Sequence, residues 1–504
     1  MKASSSAAVL APIVVAAACS QVLGIDDFTD AEGAAGATTT ASSGGAGGTT
    51  PTGTSTGTAS GGGGSAAFGW SLRFGGDGED NAAAVAVVGD DSIVLGGDFG
   101  QSIDFGGPTL QRGFTIGCDG FVAMLDGDGA HQFTYHLTGD EDERVEDIAV
   151  SSSNGIIVGG WYQFQLTDPD DTFDWGTWGS DEVFLLGLNT AGALQWRRRG
   201  EQGGLMRRAT AVASGATVPV VATGYFAGTV EIADDQLVVE TNQGPDDGFV
   251  GIFDAVGGSV GAEDFGVGGY QRPQDVTVLS DDSIIMVGDC TGAIDESGSY
   301  TCHDSGDVFL IEYHGNVRQR VKCFGDTAVD QVHAVATDGT DIVLVGEFGG
   351  HIDFDSDTPR PLDNKGGRDL FVAKLGPDFS HQWSLSFGGL YDDAAHDVAV
   401  DSSGRVVVTG VVRDEVDFGD GQVHPDGGDA DVFVLVLDSD GALEWVRRYG
   451  ADGDQEGRSV AVDASDQILL FGNLEGTIDF GHGPRTAVHD SRDVFLAKLA
   501  SDPR

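Results

Sequence analysis

Short apolar runs rich in Val, Ile, Leu and Phe recur along most of the chain, separated by clusters of Gly, Asp, Asn and Ser. Runs of this length and β-branched content, bounded by turn residues, predict strands. The stretch from Asp397 to Gly450 shows the unit most clearly. Asp397 to Val400 is a first strand, and the turn Asp401 to Gly404 leads into a second strand, Arg405 to Thr409. A loop then reaches a third strand, Asp431 to Leu437, and the turn Asp438 to Gly441 leads to a fourth, Ala442 to Tyr449. These runs are almost continuously apolar, whereas a sheet wet on one face alternates apolar and polar positions. Both faces must therefore be covered, and neighbouring copies of the unit are the available cover.

The unit repeats seven times. A glycine closes the second strand at Gly97, Gly160, Gly224, Gly288, Gly346, Gly410 and Gly472, at intervals of 58 to 64 residues. Six residues later an aliphatic side chain returns at Ile103, Leu166, Val230, Ile294, Ile352, Val416 and Ile478. The third strand carries Phe121, Phe184, Phe249, Phe309, Phe371, Phe433 and Phe495, with an acid two residues before each: Asp119, Glu182, Asp247, Asp307, Asp369, Asp431 and Asp493. Trp70, Trp196, Trp383 and Trp445, with Phe133 in the equivalent place, mark the fourth strand, and two repeats lack an aromatic there. A period of this size holds one four-stranded unit.

Such units stack as a linear solenoid or a radial propeller, and the ends of the array discriminate. The last repeat stops after its third strand, at Leu499 to Arg504, while residues 68–74 (FGWSLRF) form a fourth strand with no unit before it. The expectation is an all-β, seven-bladed β-propeller of four-stranded antiparallel blades, its last blade closed by this N-terminal strand. Residues 68–504 then form one domain.

The unit, acid-x-x-x-(V/I)-A-V-x-x-x-G-x-(V/I)-x-(V/L)-x-G followed by IDFG and D-x-F-(V/L)-x-K-L, resembles the bacterial seven-bladed propeller repeat called SBBP, most closely at Asp393 to Gly410. That resemblance implies a secreted or surface platform and supplies no catalytic residues. Residues 1–19 resemble a bacterial lipoprotein signal: Lys2, an apolar run from Ala7 to Ala18, and Ala16, Ala17 and Ala18 before Cys19, the candidate lipidation site. The run is too short to span a bilayer, which needs about 20 residues. Ser20 after the cysteine implies, by the same resemblance, the outer membrane or cell surface, with cleavage and secretion as the alternative. Residues 20–67 begin acidic and become a Gly/Ser/Thr-rich tether, whose stretch from Gly33 to Ser65 is expected to be disordered with a reach of roughly 30 Å.

The net charge of −54, with almost all of it beyond residue 68, argues against nucleic acid and leaves a lipid anchor as the only membrane contact expected. No cofactor is expected, and calcium, with magnesium beside it, is the cation that the acids bring into view. Two acidic series could serve it: the seven acids before the repeated Phe, and Asp104, Glu231, Asp295, Asp353, Asp417 and Asp479, with Thr167 breaking the second set. The preferred reading is that each carboxylate accepts loop N–H groups. The DxDG stretches at Asp126 and Asp438 read as hairpin turns, since the other oxygen ligands of a calcium loop are missing. Bases concentrate on fourth strands, at Arg197, Arg198 and Arg199, at Arg318, Arg320 and Lys322, and at Arg447 and Arg448. There they guard an exposed edge or, with Arg207 and Arg208, meet surface phosphates.

Cys290 and Cys302 flank one loop and are the candidate disulfide of an oxidising compartment, while Cys118 and Cys323 sit in different repeats. No HExxH, GxSxG or Walker-type loop occurs, and the eleven histidines, His333 and His396 among them, show no constellation in the sequence. The irregular loop Gln163 to Ser180, with Trp161, Trp175 and Trp178, offers aromatics for sugar stacking or for packing. The expected function is a monomeric, non-catalytic surface platform binding a protein or glycan. The alternatives are a secreted glycan hydrolase or lyase with a site at the central channel, and a structural envelope protein.

Overall fold

The computed structural model describes residues 69–501, except 90, 114–115, 168, 170–171, 175–180, 201–205, 228, 232–237, 241–245, 295–297, 299, 356–357, 414, 420–429, 452 and 489–490. Cys19, the tether, Trp175 and Trp178 lie outside the described residues. Seven antiparallel four-stranded blades form a ring. Blade 1 contains Asp80–Val88, Ser92–Phe99, Asp119–Leu125 and His131–Gly139, and blades 2 to 6 follow the same order. First strands of adjacent blades contact one another around the axis, including Asp80–Val88 against Gln455–Val462. Blade 7 takes its fourth strand from the start of the domain: Trp70–Phe74 pairs with Asp493–Leu499, from Trp70 opposite Lys498 to Phe74 opposite Val494. The ring is closed by this clasp.

The repeated glycine and phenylalanine have one physical cause. In every blade the first strand carries a β-bulge, which drives a backbone carbonyl toward the second strand. A Cβ on Gly410 would lie 2.1 Å from the Ala394 carbonyl oxygen, and one on Gly472 would lie 2.1 Å from that of Glu456. The Phe opposite fills the remaining space, as Phe495 does at 2.7 Å from the same point on Gly472. The Phe of the IDFG segment then packs on it, with ring centroids 4.8 Å apart for Phe105 and Phe121 and 5.1 Å for Phe480 and Phe495. The first strand of blade 6 begins at Ala394, earlier than the Asp397 expected from the sequence, with the bulge at His396 between the two.

The fourth-strand aromatics bind neighbouring blades. Trp70, Phe133, Trp196 and Trp383 each lie over the turn glycine of the next blade, at Gly129, Gly192, Gly257 and Gly441, where φ is positive. Trp445 reaches the last turn instead, and its indole N–H donates to the Ser501 carbonyl at 3.3 Å. Between blades 4 and 5 the two roles are exchanged. Arg320 stands where five blades have the aromatic, and Phe379, with φ 64°, stands where Gly129, Gly192, Gly257 and Gly441 lie in theirs. The Arg320 guanidinium sits 5.0 Å from the Phe379 ring centroid, and Lys322 donates to the Phe379 carbonyl at 3.1 Å.

The described part of the irregular Gln163 to Ser180 loop has a structural role. Gln165–Thr167 and Thr172–Asp174 form a hairpin that extends the sheet of blade 1 beyond its fourth strand, with Leu166 opposite Gly139. In blade 4 the sulfurs of Cys290 and Cys302 are bonded.

Candidate binding site at the channel mouth

The seven bulges place one extra residue per blade near the start of each first strand, at the same end of the central channel. These residues are Ala83, Glu146, Thr210, Gln274, His333, His396 and Arg458, and all are partly exposed. The scaffold around them repeats, but they do not. His333 and His396, 63 residues apart in sequence, come together here with ring centroids 5.5 Å apart. Their shared position in consecutive repeats was the signal that could have paired them.

Blades 2 to 4 line one arc of this mouth with alternating cations and aromatic rings. Trp161 lies between the guanidinium groups of Arg144, at 5.5 Å, and Arg208, at 4.2 Å. Arg272 lies 5.4 Å from the Tyr225 ring and 5.0 Å from that of Tyr270. Carboxylates hold each guanidinium: Asp181 binds Arg208 at 2.6 Å, Asp246 binds Arg272 at 2.5 Å, and Asp98 lies 3.8 Å from Arg144. Glu146 accepts the Trp161 indole N–H at 2.5 Å. Cations over aromatic faces are attracted by the ring quadrupole, so Arg144, Trp161 and Arg208 form a fixed buried stack behind the mouth, while Arg272 is partly exposed.

The opposite arc is titratable. Burial pushes the Asp289 carboxyl up to about 7, although His333 opposes the shift. Glu347 moves the other way: burial would raise it, but His333 and the Arg368 guanidinium outweigh that effect and hold it below its usual value. Arg368 binds Glu347 at 2.6 Å. Burial, reinforced by Arg458 and His333, lowers His396 to about 3, so its ring is neutral at ordinary pH, with Nδ1 2.9 Å from the Gly457 carbonyl.

Deeper in the channel, every second blade carries an aspartate after the bulge. One oxygen each of Asp147, Asp275 and Asp397 accepts the N–H of the next residue in its own strand. The other accepts the N–H of Val212, Val335 or Val460 in the following blade, all at 2.7 to 2.8 Å. Blades 1, 3 and 5 have Ala84, Ala211 and Ala334 there. Ser459 of blade 7 closes the circuit by accepting the Val85 N–H at 3.1 Å. Burial raises Asp147 to about 7 and Asp397 to about 6, and it also raises Asp275. These acids are inter-blade latches.

Described members of the two acidic series accept N–H groups or bases of their own blades. Asp104, Asp353, Asp417 and Asp479 each accept N–H groups of their own exposed loop, such as Gly106 on Asp104 at 2.7 Å and Gly419 on Asp417 at 2.8 Å. The side chains of Glu231 and Asp295 lie outside the description, while Thr167 lies in the blade 1 hairpin. In the other series, Asp119 accepts Gly113 N–H at 3.0 Å and His136 at 2.6 Å, Asp369 accepts Lys365 N–H at 3.0 Å, and Asp431 pairs with Arg448 at 2.7 Å. Asp126 and Asp438 cap hairpin turns, each accepting two N–H groups.

Some fourth-strand bases staple blades together, while Arg320 and Arg448 pair with acids of their own blades. Arg198 donates to the Gly257 carbonyl at 2.5 Å, and Arg318 binds Glu263 at 3.1 Å. Arg208 lies at the channel mouth on a first strand, away from the rim where the sequence grouped it with surface contacts. Trp161 is fully buried, which removes it as a sugar-stacking face. Two clefts of about 360 and 410 Å³ open between blades at the opposite end, one beside Phe133 and Gly192 and one beside Lys322 and Phe379.

Among solved structures, the chain is similar to Sqt1 from Chaetomium thermophilum at 14% identity and a TM-score of 0.41, covering 84% of this chain and 87% of that one. A protein of unknown function from Dyadobacter fermentans is similar at 11% identity and a TM-score of 0.37, covering 85% and 98%. YCF48 bound to D1 peptide is similar at 11% identity and a TM-score of 0.26, covering 64% and 89%. No protein-family model and no curated protein matches the chain.

Proposed function

We propose that this protein is a non-catalytic binding platform of the bacterial cell surface, of the SBBP kind, tethered to the outer membrane through lipidated Cys19 and taking a protein or glycan at the channel mouth. The observation that carries this reading is the ring of bulge residues. A scaffold that repeats its glycines, phenylalanines and turns varies at Ala83, Glu146, Thr210, Gln274, His333, His396 and Arg458, the positions that meet solvent at one end of the channel. Residues that differ from blade to blade make an asymmetric surface suited to one asymmetric ligand.

The full mature chain, tested on a glycan array and against purified surface proteins, should show saturable capture without turnover. The double substitution Arg272→Ala and His333→Ala should weaken that capture at least about tenfold, the scale of a lost 1.4 kcal/mol contact. Unchanged capture would move the site elsewhere, and chemical conversion of a captured glycan would make the protein a secreted hydrolase or lyase. In a Gram-negative host, Cys19→Ser should abolish incorporation of labelled fatty acid and release the chain from the membrane fraction. Retention with label would sink the anchor.

A further inference from the structure

Three of the protein's five cysteines meet at one place, the channel-mouth end of blade 4. Cys290 lies in the second strand, Ser283–Ala293, Cys302 near the start of the third, Thr301–His314, and Cys323 in the fourth, Val317–Phe324. Cys290 and Cys302 are joined, and Cys323 keeps its thiol with its sulfur 3.8 Å from that of Cys302. All three sulfurs lie within 4.8 Å of one another. Cys290 is fully buried and Cys302 nearly so, whereas Cys323 is partly exposed on the outermost strand. A thiol in van der Waals contact with a disulfide sulfur is placed for exchange, which proceeds by thiolate attack on that sulfur.

We propose that Cys290, Cys302 and Cys323 form a thiol–disulfide exchange centre in which Cys302 changes partner. The Cys323 thiol gives its proton to water, and its thiolate attacks the Cys302 sulfur. The Cys302–Cys323 bond forms as the Cys290–Cys302 bond breaks, and Cys290 leaves as a thiolate that takes up a proton. One disulfide and one thiol exist before and after, so no oxidant or reductant is consumed. In the first state the covalent tie joins the second and third strands across their loop. In the second state it joins the leading end of the third strand to the outermost strand, and the remaining thiol is the buried one. The centre thereby converts a solvent-accessible thiol into a protected one and changes which strands of blade 4 are clasped.

The test uses the full chain, held at neutral or mildly alkaline pH, quenched in acid, alkylated while denatured, and cleaved at Glu296, which separates Cys290 from Cys302. The expected result is a population with Cys302 linked to Cys323 and the alkyl label on Cys290. It should appear about tenfold faster at pH 7.5 than at pH 6.5, as the thiolate fraction rises. Finding only the Cys290–Cys302 link at every pH and time would overturn the proposal. A second arm places Cys290→Ser in a glutathione redox buffer, where Cys302 and Cys323 should pair. If both instead remain alkylatable in the folded variant, the centre does not exist, and if that variant fails to fold, the wild-type mapping decides.

Discussion

At Gly410 a single hydrogen in place of a methyl group allows the Ala394 carbonyl to enter the space beside the second strand. Gly410→Ala should therefore force backbone movement and cost at least about 1–3 kcal/mol, the usual penalty for overpacking, read as a lower denaturant midpoint with unchanged slope. An unaltered midpoint would mean that the bulge does not demand glycine. The exchanged pair at the blade 4–5 boundary makes a different prediction. Arg320→Ala and Phe379→Ala should each destabilise, and a double-mutant cycle should return a coupling of about 0.5–1 kcal/mol. Additive losses would show that the guanidinium and ring do not interact. Residues at this scale were legible where the scaffold repeats, since a contact needed in every blade writes the same letter at every period. Bulge residues escaped because they are the positions where the repeat is free to vary, and the place of Arg208 on a first strand was not legible because a pair of bases does not say which strand bears it.

Strands are joined sideways by a small set of polar contacts that the sequence hid. Asp397 carries two N–H groups, its own strand's Val398 and the next blade's Val460. Asp397→Ala leaves the Val460 N–H without this acceptor, a loss worth about 1–3 kcal/mol when the group is buried, and thermal unfolding should shift down accordingly. The same substitution would also remove a carboxyl that burial holds protonated to about pH 6, so the loss should be largest below that pH. A loss that is instead largest in alkali would refute the latch. The closing strand was readable because FGWSLRF matches the fourth strands without a repeat unit of its own before it. A chain starting at residue 75 should lose the clasp on Asp493–Leu499 together with the Phe74 side chain, whose burial alone is worth about 1.5–3 kcal/mol. Equal melting of chains starting at residues 69 and 75 would disprove closure as a source of stability.

Over the whole molecule, buried carboxyls set the response to pH. Burial, with the facing Asp493, raises Asp80 to about 8. Burial likewise raises Asp330 to about 8, and Asp393 and Asp289 to about 7. The unfolded chain releases these protons near pH 4, whereas the folded ring keeps them until pH 7 to 8. Unfolding in that window therefore discharges protons, and stability falls as pH rises from about 4 to about 8. Glu347 and Asp401, held below their usual values, act in the opposite sense only at lower pH. Melting temperature should decline from pH 5 to pH 8.5, and Asp80→Asn should flatten the decline by placing there a neutral amide, which Gln271 and Gln455 supply at the equivalent positions. A melting temperature that rises over this range would contradict the assignment.

The clasp strand also sets an orientation. Trp70 enters the ring on the outermost strand, opposite Lys498, at the end where the hairpin turns lie, while Arg144, Arg272, His333 and Arg458 ring the other end. The chain upstream of Gly69 therefore joins the ring at the end opposite the variable hub.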